Sequence, residues 1–435
     1  VSLAAHATRG VGRHAPDRGD LLVALADRAF ALLVLTVVAL HYFLSEMMLT
    51  NLGVNYAEGG GNPLEKIHPG TWLALLLMIF MGARRGNPLR LLDLIAGYRG
   101  LAVFTISWIM LFGWVTLVTK VPFSPLIDTF LAAIIVFLLV LELDGVWLRR
   151  LALMIHGIMT LNALIGIAEY VTGWRLTPYA IGSLVVDTDW RSTAILGHPL
   201  GNAAMTGAYA IAMALGGARE IPRPLRPAAL GLQLVAMIAF GGRSSLLNAV
   251  IMISGIGLWR FAKILRGAKF DRVYIAVAFL LAPLLVAAVA AAAAGGFFDQ
   301  FIARLQDDAG SGKTRLIMLQ FFNIIPLRDI IIGPDQAYVS SLQALEGIEL
   351  GIESFWVGFI LAHGAIMATV FFLGLAAFCW QLVNQTRREL WLVLLFYFLV
   401  ASTSVSLSVK TCTFAMFAAM ALSLLRPPAR KATRR

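Results

Sequence analysis

The 435-residue sequence predicts an all-α polytopic membrane protein of about twelve transmembrane helices, on three observations. Hydrophobic residues make up 59% and charged residues 14%, against roughly 45–50% and about 25% in soluble domains. The apolar residues fall in runs long enough to cross a hydrocarbon core, which takes roughly 20 residues per helix. The basic residues gather in alternate connections between those runs. A mean hydropathy of +0.81 agrees. A soluble enzyme, a disulfide scaffold and a disordered chain are excluded together.

In chain order the runs cover about 28–46, 70–84, 100–119, 125–142, 151–171, 201–217, 228–241, 245–262, 273–295, 354–382, 389–408 and 411–425. Residues 1–27 are basic and polar without an apolar signal-peptide core, and predict a cytoplasmic tail. Residues 28–425 form a single transmembrane domain, and 426–435 a basic cytoplasmic tail. Cys379 and Cys412 both lie in apolar stretches, so no disulfide or CxxC metal framework is expected.

Orientation follows from charge. With the N-terminus inside and one crossing per run, the inner segments are 9–28, 84–99, 149–150, 219–226, 260–272, 387–388 and 426–435. They hold 25 of the 35 Lys and Arg residues, as the positive-inside rule requires. Topology thereby accounts for the net charge of +11, and nucleic-acid binding drops out. The outer side carries two long connections, about 172–200 and 296–353. Loops of that length usually serve a function. Within the second, 311–325 predicts an amphipathic helix on the outer membrane surface, stopped by Gly333-Pro334.

Several motifs are weak. In AGSGKT (309–314) the Walker glycine is replaced by Asp307, so no nucleotide site is expected. Asp187-Thr188-Asp189 resembles a metal-holding DxD, but two carboxylates alone make a poor hard-cation site. His156 and His363 fall inside apolar runs and read as packing residues, and Glu46 reads as an interfacial charge ending the first span.

The outer arginines are more informative. Arg191, Arg243 and Arg315 each sit near the outer end of an apolar run, on the side where the positive-inside rule depletes them. Any one alone reads equally well as a snorkelling interfacial residue. Three together would make a cage for phosphate, which guanidinium grips bidentately. Gly241-Gly242, before Arg243, would let backbone approach a ligand. His198, in Gly197-His198-Pro199, stands at the mouth of the sixth run as a structural hydrogen-bonder or a site residue. Glu353 directly precedes a span, either as a solvated interfacial charge or as a desolvated carboxylate suited to a general base.

Four of these segments in this order resemble the O-antigen ligase and polysaccharide polymerase superfamily of bacterial inner membranes. They are Arg191 with Gly-His-Pro at 197–199, Gly-Arg-Ser at 242–244, the Arg315 helix followed by LRDIIIGP (327–334), and Glu-Ser-Phe-Trp (353–356) with Gly364. The resemblance spans about 150–385. It implies a C-type glycosyltransferase-like helical fold and an undecaprenyl-diphosphate-linked oligosaccharide as donor, with a periplasmic site. It implies no metal and no cofactor, and a chain-length regulator as partner besides membrane lipids. Arg191, Arg243 and Arg315 would bind the diphosphate. Where ligases carry a His this chain has Glu353-Ser354, which favours the polymerase branch. On that reading Glu353 is the base and His198 a helper. The ligase, a transporter or flippase, and a membrane scaffold are the competing readings.

Overall fold

The computed structural model describes residues 18–57, 60–84, 86–87, 89–119, 122–181, 184–186, 189–269, 272, 287, 290–306, 311–348 and 351–427. The first half of the chain forms α1 Arg18–Phe43, α2 Glu46–Asn51, α3 Pro69–Arg84, α4 Arg90–Gly97, α5 Arg99–Trp114, α6 Ser124–Leu126, α7 Ala132–Leu141 and α8 Gly145–Thr172. There follow α9 Pro199–Ala212, α10 Arg226–Ala239, α11 Arg243–Leu265, α12 Asp299–Gln306, α13 Ser311–Ile324 and α14 Leu327–Ile332. The chain closes with α15 Gln336–Leu345, α16 Phe355–His363, α17 Ala365–Gln385, α18 Leu390–Ala401 and α19 Thr413–Leu424. Among the described residues the one extended pairing is a two-residue ladder, Ala180–Ile181 against Leu184–Val185.

Six helical segments among the described residues are long and apolar enough to cross a membrane: Leu22–Phe43, Arg99–Thr119, Ser124–Leu141, Gly145–Thr172, Arg243–Leu265 and Ala365–Gln385. Shorter apolar helices are α3, α18 and α19. The chain is a multi-pass helical membrane protein by these lengths and hydropathies.

Burial follows composition. α7 is apolar on every side and sits at the centre, with Ala132 to Val140 all buried. α9 and α19 are likewise enclosed, whereas α11 exposes Leu247, Ile251, Leu258 and Leu265. Phe130, just before α7, meets Phe371, Phe359 and Phe414 at ring centroid distances of 4.7, 6.1 and 6.4 Å, joining α7, α16, α17 and α19. Where α5 crosses α17, a Cβ at Gly100 or Gly374 would strike Ala377 O or Ser107 Oγ. Small residues let these two backbones close, as in other lipid-embedded helix pairs.

The two ends of the bundle differ. At one end Arg84 bridges Asp27 at 2.8 Å and Glu142 at 3.2 Å, Arg90 meets Glu142 at 3.1 Å, and Arg426 meets Glu220 at 2.6 Å. This basic end ties the helix termini of α1, α3, α4 and α7 together. The opposite end carries residues 173–198, the α12–α16 segment and the connection 402–412.

Three expectations are corrected in detail. The 296–353 connection is largely helical, and α13 does not simply lie on a membrane surface. Its Ile317, Met318 and Phe321 pack with Val339 and Leu342 of α15 and Val357 and Leu361 of α16 in a small core of their own, while Leu316 and Leu319 stay exposed. α13 ends at Ile324 before Pro326, whose ring cannot continue a helix; Gly333 instead ends α14. The run 354–382 is broken at Gly364, where the chain turns between α16 and α17 against the Ile332 backbone. The run 273–295 lies mostly outside the described residues.

Candidate functional site

The Gly-His-Pro turn is built for its place. Gly197 has φ 77°, a left-handed conformation that side chains resist, and a Cβ there would collide with Ser45. His198 caps α9, its Nδ1 accepting from the Leu200 N–H at 3.2 Å, and Pro199 supplies the preset first turn. That bond assigns the ring proton to Nε2, so neutral His198 offers a donor and no free base. Burial holds its pKa down to about 4, and the nearby Arg191 pushes the same way against Asp189.

Upstream of the turn, residues 192–194 close around one carboxylate. Glu169, buried near the end of α8, accepts from Ser192 Oγ at 2.5 Å and from the N–H groups of Thr193 at 2.9 Å, Ala194 at 2.8 Å and Leu176 at 2.7 Å. Ala194 is held at φ 41°, strained for a residue with a side chain. Asn162 supports the next turn, its Oδ1 accepting from the Ile195 N–H at 3.0 Å. The Ser192 N–H donates to Ala239 O at 3.0 Å, docking the segment on the end of α10.

This docking seats Arg191. Its Nε lies 3.0 and 2.9 Å from the two Asp189 oxygens and its Nη2 2.5 Å from Oδ2, a bidentate pair. Gly241, at φ 66°, makes room for the Arg191 Cγ and Cδ atoms, and Gly242 for Ala203. The Gly-Gly pair therefore admits protein atoms, in place of the ligand approach expected for it. The Asp189 half of the DxD serves Arg191; Asp187 and Thr188 lie outside the described residues.

Beside His198 opens a cavity of about 130 Å³, far above the roughly 10–15 Å³ that admits one water. Its polar lining includes Glu46, Ser45, His198, Ser404, Lys410 and Thr411, with Leu44, Leu196, Val405 and Met416 among the apolar wall. Glu46 is open to solvent through the mouth yet recessed in protein; the lost water raises its carboxyl pKa, with Lys410 pulling it back. Lys410 Nζ donates to Tyr56 O at 2.8 Å, rests 3.4 Å over the Tyr56 ring and lies 4.0 Å from Asp128 Oδ2. Desolvation lowers its pKa to about 8 against the pull of Asp128 and Glu46.

Asp128 is fully buried in the π-helical turn Ile127–Leu131 and accepts from Tyr56 Oη at 2.9 Å and the His68 N–H at 3.1 Å. Irregular helical turns of this kind often mark sites, because they turn a side chain off the regular register. The connection 402–412 is the hub. Thr129 Oγ1 bonds Val409 O and the Thr411 N–H, both at 3.1 Å, Thr403 Oγ1 donates to Ser244 Oγ at 3.2 Å, and Trp356 Nε1 donates to Ser402 Oγ at 2.7 Å. Arg243 and Glu353 thus stand on elements fastened to the hub through Ser244 and Trp356. Glu353 is not among the residues lining the cavity. The Arg315 side chain lies outside the described part of the structure.

Under the cavity His41, His68 and Cys412, all buried, bring one donor atom each within 4.8 Å of one another. They could hold a metal only by rearranging. His68 Nε2 faces Leu44 O at 2.6 Å and its Nδ1 accepts from the Gly70 N–H at 3.0 Å. His41 Nδ1 faces Val37 O at 2.8 Å, and the Cys412 thiol is buried. The arrangement reads as a neutral, hydrogen-bonded floor. His156 bonds Tyr209 Oη at 2.7 Å and His363 packs edge-on to Phe359, both within the bundle as expected.

Glu169, Asp128, Lys410 and the role of Glu46 escaped the sequence reading. Each is a single charge at the edge of an apolar run, and its partners come from distant elements. The chain matches none of the known protein families, curated proteins or solved structures with which it was compared.

Proposed function

We propose that the protein is a membrane glycosyltransferase that joins undecaprenyl-diphosphate-linked repeat units into polysaccharide, working at the outer face of a bacterial inner membrane. The observation that carries the reading is the cavity at the end opposite the basic one, lined by a carboxylate with a raised pKa, a cation and a neutral imidazole donor. If the chain crosses twelve times with both termini inside, as its charge distribution suggests, the cavity faces outward.

In the proposed reaction the hydroxyl oxygen of the lipid-linked acceptor attacks C1 of the donor sugar. The bond from C1 to the diphosphate oxygen breaks, and its electron pair leaves with the phosphate. Lys410 stabilises that developing charge, as preorganised cations do in water-poor sites; Arg191 and Arg243, expected from the sequence to hold the diphosphate, are not among the residues that line the cavity. The hydroxyl proton passes to a carboxylate. Glu46 is favoured over Glu353 for this step, because Glu46 faces the cavity. His198 Nε2–H donates to a sugar oxygen.

The test is a gel of surface polysaccharide from a strain lacking the chain, complemented with wild type, Glu46→Gln, Glu353→Gln, Arg243→Ala, Arg315→Ala or Lys410→Gln, each checked for expression. Loss of polymer with accumulation of single lipid-linked repeats supports the polymerase. Long polymer that stays on the lipid carrier and never reaches a final acceptor identifies a ligase instead. Full polymer from both Glu46→Gln and Lys410→Gln moves the site elsewhere.

A further inference from the structure

At the basic end, where the π-turn Met213–Gly217 closes α9, a second cleft of about 580 Å³ opens between α10 and α11. Arg226, Arg260, Lys263 and Lys269 line it, and no carboxylate does among the described residues. The rest of its lining includes apolar Met213, Leu230 and Ile264. Arg226 is fixed, donating to Ile221 O at 3.0 Å and Arg219 O at 3.2 Å. The Lys263 ammonium sits 3.5 Å over the Trp259 ring. The same stretch of α11 turns Leu258, Phe261 and Leu265 outward, each more than half exposed, as a lipid-facing helix does.

We propose that this cleft binds an anionic glycerophospholipid, its phosphodiester held by Arg260, Lys263 and Lys269 and its acyl chains running down α11. Positive charge alone would follow from topology. What distinguishes the cleft is a volume lined by both cations and hydrocarbon, beside a helix with exposed apolar side chains. A soluble anion would leave the apolar lining unused, and a zwitterionic lipid would add an ammonium to a cationic pocket. The site lies at the end opposite the catalytic cavity and stands independently of the proposed activity.

The experiment is native mass spectrometry of the full chain in detergent with added dioleoyl-phosphatidylglycerol or dioleoyl-phosphatidylethanolamine. Wild type should retain one phosphatidylglycerol at about tenfold lower concentration than phosphatidylethanolamine. Arg260→Gln/Lys263→Gln/Lys269→Gln should abolish that preference, while Arg149→Gln/Arg150→Gln, a charge loss elsewhere at the same end, should keep it. Equal retention of both lipids by wild type overturns the proposal. So does equal loss in the two variants, which would assign the preference to the diffuse charge of this end. If the triple variant unfolds, Leu230→Trp is read in its place: it fills the apolar lining without changing charge and should lower phosphatidylglycerol retention, and unchanged retention overturns the site.

Discussion

At neutral pH Lys410 stands close to its own titration point, because burial pulls the ammonium down to about 8. The amine is a cation below that value and loses its charge as pH rises through it. On the proposed function, binding of undecaprenyl diphosphate to the wild type should therefore fall about tenfold between pH 7 and 9. Lys410→Arg, charged throughout, should bind evenly across the same range, and Lys410→Gln should bind weakly at every pH. Coincident profiles for wild type and Lys410→Arg would remove Lys410 from the site. Glu169 has a different role, since four donors close on it and one of them holds Ala194 in a strained conformation. Glu169→Ala leaves those donors buried without an acceptor and should destabilise the fold by about 3 kcal/mol or more, read as thermal unfolding in detergent. A melting temperature equal to wild type would mean that the 192–194 segment is held by other contacts.

At the scale of the element, the entry to α9 combines a left-handed glycine, a histidine cap and a proline in three consecutive residues. Gly197→Ala meets both a strained left-handed backbone and Ser45, and should lower stability by about 2 kcal/mol or more. The same change at Gly201, inside α9 with only a distant contact to His198, should be near neutral or mildly stabilising, and the pair of melting temperatures tests the assignment. Helices long and apolar throughout were legible from run length and composition. The segment 296–353 was legible only in part, because its short helices bury their apolar faces on one another. A run of residues such as 311–325 looks the same whether its apolar face meets lipid or protein.

Across the whole molecule, deeply buried charges are paired, while the charges that line the clefts at the two ends face open volume. The basic end closes its buried charges into pairs, with Glu142 shared between Arg84 and Arg90. Glu142 is 8% exposed at its side chain and Asp27 is 48% exposed, which decides their relative weight. Glu142→Gln should cost about 3 kcal/mol by leaving buried guanidinium underpaired, and Asp27→Asn under about 1 kcal/mol. Comparable unfolding temperatures for the two variants would contradict that ranking.

Composition and run length determined the class of this protein from the sequence alone, because the bilayer admits few ways to satisfy a backbone and marks them with long apolar stretches. The Gly-His-Pro turn and the outer arginines were legible as local patterns too. Only the tertiary structure decided that Gly241 makes room for Arg191, that Glu46 and Lys410 share a cavity, and that Asp128 lies 4.0 Å from Lys410 of the 402–412 connection. These relations join residues up to 364 positions apart (Glu46 to Lys410). A charge at the end of an apolar run has the same sequence signature whether it meets water, lipid or a buried partner, and packing alone supplies the difference.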